Sequence, residues 1–142
     1  MLAIGPILLA VGSLLAFGAY RLLSLDWVDD GYALWGAGEM VVAYLRDHDA
    51  RWPAGWEDLR PYYEAGGGRV GGWSFEEYQR HVNIRWDVDV TAIRGAARGH
   101  HRPSFRVIEP REWLAGSIGG REPNQILHDY FREASRPQVR PG

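Results

Sequence analysis

Two histidines and two aspartates lie close enough together in the sequence to raise the question of metal binding or acid–base catalysis. His100 and His101 are adjacent, and Asp87 and Asp89 precede them, two residues apart. Imidazole and carboxylate groups suit transition metals, but the chain has no zinc-ligand spacing and no H-E-x-x-H motif. The aspartates would lie about 7 Å apart on one face of a strand, yet no nucleophile accompanies them. We therefore predict a non-catalytic protein without a metal site or cofactor, with the histidines in a solvated loop.

Arginines dominate the stretch between Thr91 and Val107, which contains no acidic residue. They are Arg94, Arg98, Arg102 and Arg106. Guanidinium groups pair bidentately with phosphate and carboxylate, so Arg98 and Arg102 are predicted to contact a partner, with a purely solvated loop as the alternative. The net charge of the chain is −2, and residues 22–66 carry nine acids against three arginines. This balance is far from that of a nucleic-acid-binding protein, and no nucleic acid is expected.

The first 20 residues, Met1 to Tyr20, contain no charged side chain. About 20 apolar residues at a rise of 1.5 Å each suffice to cross a hydrocarbon layer of about 30 Å. A cleaved signal peptide begins with a basic region, whereas no Lys or Arg precedes Arg21, so we expect an uncleaved anchor. A buried hairpin helix of a soluble protein is the alternative. The residues expected to meet the membrane are Leu2, Ile7, Leu9, Leu14, Phe17, Tyr20 and Trp27, with Tyr20 and Trp27 at its interface.

A second helix is predicted to begin at Asp26 or Asp30 and to run to about His48. Its apolar positions recur at three- and four-residue spacing and form one stripe, made of Leu34, Ala37, Val41, Leu45 and His48. Aromatic residues are concentrated on this helix and just after it, and Trp and Tyr are enriched at protein interfaces. The residues predicted to contact a protein partner are Trp35, Tyr44, Trp52 and Trp56, with core packing as the alternative.

Strict alternation of apolar and polar residues predicts a strand over Val82–Val90, with one buried and one solvated face. A second strand is predicted over Ser104–Ile108. The connection between them contains Gly95, Gly99 and Pro103 and is expected to be a loop.

Three short helices complete the predicted fold. A helical turn is expected at Trp56–Leu59, and the S-x-x-E capping box of Ser74 and Glu77 opens a helix over Phe75–Arg80. Pro123 opens a helix that runs to Ala134. The predicted fold class is α+β, with a transmembrane anchor over residues 1–25, a small extramembrane domain over 26–134 and a tail over 135–142.

The stretch in which the second predicted helix ends resembles the Y-x-x-D-N-G-x-Y-P segment of type IV pilin-like proteins, especially the pseudopilins of type II secretion. It reads Tyr44-Leu-Arg-Asp47-His-Asp49-Ala-Arg-Trp52-Pro53. In that family a membrane-embedded helix continues into an amphipathic helix, which is followed by a small sheet. The resemblance implies a location in the bacterial inner (cytoplasmic) membrane and favours the periplasmic side for the domain. Arg21, just after the apolar segment, favours the cytoplasmic side under the positive-inside rule, so both orientations stay open. The G-F-T-L-I-E processing signal of the family is absent from this chain.

These expectations describe a non-catalytic single-span membrane protein that serves as an accessory or structural subunit of a larger membrane-associated assembly. Its partners would be membrane lipid and either other proteins of a complex or further copies of itself. Two alternatives stay open. One is a pseudopilin-type subunit of a secretion or filament system, and the other is a membrane-anchored enzyme whose site residues converge only in three dimensions.

Overall fold

The structure, a computed structural model, describes residues 31–67, 73–99, 101–111 and 122–135, apart from Ala33. Over these residues five helices and a two-stranded antiparallel sheet share one hydrophobic core, which confirms the α+β prediction. The helices are α1 (34–47, with 31 and 32 also helical), α2 (Trp56–Tyr62), α3 (Phe75–His81), α4 (Val90–Gly99) and α5 (Pro123–Ala134). The strands are β1 (Val82–Ile84) and β2 (Ile108–Pro110).

Several predicted features lie outside the described residues. These are His100, the tail over 136–142 and the expected membrane contacts Leu2, Ile7, Leu9, Leu14, Phe17, Tyr20 and Trp27. Within the described part of the chain, no helix combines the length and the apolar character needed to cross a membrane.

Helix α1 contributes five buried residues to the core, namely Ala37, Met40, Val41, Val42 and Leu45. Ala37, Val41 and Leu45 are buried as the apolar stripe predicted, whereas His48, at the end of that stripe, is exposed. Two glycines allow neighbouring elements to approach α1 closely. A Cβ added at Gly36 would lie 2.5 Å from the hydroxyl oxygen of Tyr78 on α3, and one at Gly38 would lie 3.2 Å from Cα of Pro123 on α5. Helix α1 is therefore packed on two sides at its glycines.

The end of α1 is a tight turn with left-handed backbone. Asp49 (φ 51°) and Ala50 (φ 58°) both have positive φ, and the Ala50 N–H donates to the Leu45 carbonyl oxygen at 2.8 Å. This six-to-one bond closes a helix C-terminus in which the residue after the cap is left-handed, most often glycine. Here Asp49 occupies that position and ends α1.

The sheet is shorter than predicted. The strand predicted over Val82–Val90 ends at Ile84, and the second strand lies at Ile108–Pro110 instead of at residues 104–108. One further ladder bond forms, from the Arg85 N–H to the Val107 carbonyl oxygen at 2.9 Å. The second bond of this residue pair, from the Val107 N–H to the Arg85 carbonyl oxygen, is replaced by bonds to side chains. The Arg85 carbonyl oxygen accepts from Trp52 Nε1 at 2.8 Å, and the Val107 N–H donates to Asn124 Oδ1 at 2.8 Å.

The connection after β1 is a helix rather than the predicted loop. Helix α4 begins where Asp89 Oδ1 accepts from the backbone N–H groups of Thr91 (2.8 Å) and Ala92 (3.3 Å). Side-chain oxygens of Asp satisfy the first free N–H groups of a helix in this way. Ile93 and Ala97 are its buried residues. Gly95 and Gly99, which favoured a loop in the prediction, both lie on α4. A Cβ added at either residue would meet nothing within 4 Å.

The three other predicted helices are confirmed. The capping box is present, with Glu77 N–H donating to Ser74 Oγ at 3.2 Å and Ser74 N–H donating to Glu77 Oε2 at 2.7 Å. Helix α5 begins at Pro123 and ends at Ala134, as predicted. Helix α2 starts at Trp56 but continues through Pro61 into a wide turn over Tyr63–Gly67, where Gly66 has a φ of 106°.

Candidate interaction surface

The predicted contact residue Trp35 lies on the solvated side of α1. It is 41% exposed, and Tyr32, one turn earlier, is 40% exposed; these are the large exposed apolar residues of the described chain. Their ring centroids are 6.4 Å apart at an interplanar angle of 27°. Trp35 Nε1 donates to Glu39 Oε1 at 3.2 Å. The pair thus offers a stacked aromatic surface whose indole N–H is already bonded within the helix.

Tyr44 belongs to a polar and aromatic group at the other end of α1. The His48 ring stacks on Tyr44 at a centroid distance of 3.9 Å, and Tyr62 meets Tyr44 edge-on at 6.0 Å. The Tyr62 hydroxyl donates to Asp47 Oδ2 at 3.0 Å. Burial, together with this bond, raises the pKa of the Tyr62 hydroxyl above its ordinary value. The group ties α2 to the end of α1, so Tyr44 has a packing role in the fold.

Trp52 and Trp56 are half-buried and packed within the domain. Trp52 donates to the Arg85 carbonyl oxygen and so fixes the segment that follows β1. Trp56 lies between Phe75 and Trp86, edge-on to both, with centroid distances of 5.8 and 5.6 Å. Most of the surface that these two indoles would offer a partner is therefore already used by the core, as the packing alternative predicted.

The arginine-rich stretch, which includes the predicted contacts Arg98 and Arg102, lies on and after α4. Arg94 and Arg98 lie one turn apart on that helix, while Arg102 and Arg106 lie in the segment leading to β2, and the last three are exposed. Among the described residues none of the four forms an ion pair. Arg60 on α2 behaves differently, since it pairs with Glu57 at 2.8 Å, lies 3.9 Å from Glu76 and covers the ring of Phe75 at 4.4 Å.

Among the described residues, those considered for catalysis or metal binding form no common site. Asp89 is occupied as the cap of α4, and Asp87 and His101 are exposed. Within the described ranges no group of three His, Cys, Asp or Glu side chains is placed to hold a metal ion.

The sequence analysis missed two buried polar residues on α5, Asn124 and His128. Asn124 Oδ1 accepts from the Val107 and Ile108 N–H groups at 2.8 and 3.1 Å, and its Nδ2 donates to the Ile108 carbonyl oxygen at 2.9 Å. His128 Nδ1 lies 3.5 Å from Gln125 Nε2 and 3.6 Å from Asp129 Oδ1. The available signal was the spacing of Asn124, three positions before Leu127 and four before His128, because helical spacing places all three residues on the same face.

Comparison with models of known protein families, with curated proteins and with solved structures found no match to this chain.

Proposed function

We propose that the protein is a non-catalytic, single-span membrane protein that acts as an accessory or structural subunit of a membrane-associated assembly. The uncharged segment Met1–Tyr20 supports the anchor. One observation supports a contact role for the domain, namely four arginines that form no ion pair among the described residues, on and just after a capped helix. The partner surface is acidic, because guanidinium groups bind carboxylates bidentately. The acid-rich first half of a second copy fits this requirement, as does another acidic protein.

The anchor is tested by placing a charge near the expected bilayer centre. The substitution Leu14→Arg should cost about 2.5–3.5 kcal/mol on insertion scales, and a truncated chain starting at Asp26 should leave the membrane fraction altogether. Leu9→Ile is the control, because it changes a residue of the same segment and leaves the segment uncharged. A charge placed outside the segment, as in Leu34→Arg, would disturb the folded domain and is therefore not a suitable control. Unchanged membrane fractionation of the arginine variant and the truncated chain would show that Met1–Tyr20 is not the anchor.

The contact role is tested by purifying the protein from its native membranes in mild detergent and cross-linking it. We expect a complex or a homo-oligomer. The double variant Arg98→Ser/Arg102→Ser should slow association and weaken its dependence on salt, since exposed charges act mainly on the rate of encounter. Arg46→Ser/Arg51→Ser is the matched control, because it removes the same charge from exposed positions elsewhere. A monomer without a cross-linked partner contradicts the proposal, as do equal effects of the two double variants.

A pilin-like subunit is the second candidate, and the order of elements favours it. The amphipathic helix α1 ends in a turn at Asp49, and the short helix α2 and a small sheet follow it in the chain. This order resembles that of the pseudopilins named above, with the domain on the periplasmic side. Electron microscopy of the overproduced protein tests this candidate, which requires filaments or short fibres that disappear in the Leu14→Arg variant. Discrete particles would contradict it.

A further inference from the structure

The exposed aromatic pair of Tyr32 and Trp35 begins a single solvated stripe along α1. The exposed residues Tyr32, Trp35, Glu39 and Arg46 follow one another at helical spacing on this face. The stripe is aromatic at its first turn and charged beyond it. The opposite sides of α1 are buried against Tyr78, Pro123 and the rest of the core.

The aromatic end of the stripe is the end nearest the apolar N-terminal segment. The last residue of that segment is Leu25, seven positions before Tyr32. Seven residues span about 10 Å as a helix and at most about 25 Å when extended. The polar headgroup layer on each side of a bilayer is about 5–8 Å thick. With a helical connection, Cα of Tyr32 would lie a few ångström beyond the headgroup layer, and the Tyr32 side chain, which in a helix points back toward the N-terminus, would reach the layer together with the stacked ring of Trp35.

From these observations we infer that Tyr32 and Trp35 contact the headgroup layer of the membrane and orient the domain upon it. The inference rests on the proposed membrane anchor. Tyr and Trp are suited to this layer because each combines an apolar ring with one polar group. The occupant is lipid rather than a protein groove, because the chain itself delivers this end of α1 to the membrane. Arg46, eleven residues after Trp35, lies about 16 Å farther along the helix and belongs in water.

The inference is tested on the full chain reconstituted in vesicles of phosphatidylcholine and phosphatidylglycerol that contain brominated acyl chains. Flotation of the vesicles first measures whether the protein is anchored. Bromine quenching of tryptophan emission is then compared between the wild type, Trp35→Phe and Trp73→Phe. Trp73 is the matched control, because it is half-buried within the domain against Tyr78 and His81. We expect Trp35→Phe to remove a lipid-quenched part of the emission and Trp73→Phe to remove an unquenched part.

A second measurement uses the absence of cysteine from the chain. Single substitutions Glu39→Cys and Arg46→Cys, each carrying a nitroxide label, should show accessibility to a water-soluble relaxation agent that rises from position 39 to position 46. Equal accessibility at both positions contradicts an orientation in which the Tyr32–Trp35 end of α1 is the end nearest the membrane.

The outcomes separate the inference from the proposed function. A protein that does not float contradicts both. A protein that floats while Trp35 emission is quenched by aqueous acrylamide and not by bromine contradicts only the lipid contact. Shielding of Trp35 from both quenchers indicates a protein contact at this position and also overturns the inference.

Discussion

The substitution Asn124→Ala is expected to leave backbone groups of Val107 and Ile108, at the start of strand β2, without a hydrogen-bond partner. Asn124 is 1% exposed, and its amide satisfies the N–H and the carbonyl of Ile108 as well as the N–H of Val107. Ile108 is opposite Ile84 in a pair whose backbone groups point away from β1, so Asn124 takes the place of a third strand. Each net hydrogen bond contributes about 1 kcal/mol, and each buried group left unpaired costs about 1–3 kcal/mol. We expect the free energy of unfolding to fall by about 3 kcal/mol.

Denaturant unfolding of the full chain in detergent measures this loss, and amide hydrogen exchange locates it. The amides of Val107 and Ile108 should exchange much faster in Asn124→Ala than in the wild type. Asn83→Ala is the control, since Asn83 is exposed on β1 and forms no side-chain hydrogen bond within the described residues; it should change stability by less than about 0.5 kcal/mol. A small loss for Asn124→Ala, together with continued protection of the Val107 and Ile108 amides, would refute the reasoning.

Three further predictions follow from single contacts. Gly36→Ala places a Cβ 2.5 Å from the Tyr78 hydroxyl and should lower the free energy of unfolding by about 1–3 kcal/mol, whereas Gly95→Ala, with nothing within 4 Å, should be neutral or stabilising in the same thermal melt. Ser74→Ala removes the cap of α3 and should cost about 1 kcal/mol, seen as a lower melting temperature. Burial raises the pKa of Tyr78 to about 12, so folded Tyr78 stays protonated while the unfolded chain ionises near 10; stability should fall between these pH values, less steeply in Tyr78→Phe.

Each of these predictions has an outcome that contradicts it. Equal melting temperatures for Gly36→Ala and Gly95→Ala would mean that α3 is not packed tightly on α1. A Ser74→Ala protein that melts like the wild type would show that the capping box adds nothing to α3. Alkaline unfolding that is identical in the wild type and Tyr78→Phe would mean that Tyr78 is accessible to hydroxide and not held neutral by burial.

Helices α1, α2, α3 and α5 were predictable because their signals are local. The capping box of Ser74 and Glu77 and the proline at the start of α5 each specify a helix start from a few adjacent residues. The apolar stripe of α1 likewise follows from its own spacing. These elements appear in the structure close to where the sequence placed them.

The strand over Val82–Val90 was predicted too long because burial and backbone pairing are different properties. The alternation is present in the structure, where residues 82 and 84 are buried, 86, 88 and 90 are half-buried, and the residues between them are exposed. Pairing nevertheless stops after Arg85, because Trp52 and Asn124 take the next carbonyl and N–H groups. Both side chains are distant in sequence, so no local pattern could reveal them.

Asp89 shows the same limit at a single residue. Its place in an alternating pattern predicts the solvated face of a strand, whereas the structure makes it the cap of α4. Asp followed by Ile93 and Ala97 at four-residue spacing is also a helix-start signal, and the structure follows it. The predicted arginine loop is therefore half helix, which holds Arg94 and Arg98 one turn apart.

The packing of α1 limits which surfaces a partner can use. Its apolar stripe is covered by the rest of the described domain, and Tyr78 and Pro123 pack closely against its glycines. A partner that bound to this stripe would have to displace α3 or α5 and expose the core, at a cost comparable with the whole stability of a small domain. A partner would therefore bind elsewhere, and the two proposals place it on the exposed stripe that begins at Tyr32 and Trp35 and on the arginines on and after α4. The two surfaces consist of different residues, and the proposals assign lipid to the first and an acidic protein to the second.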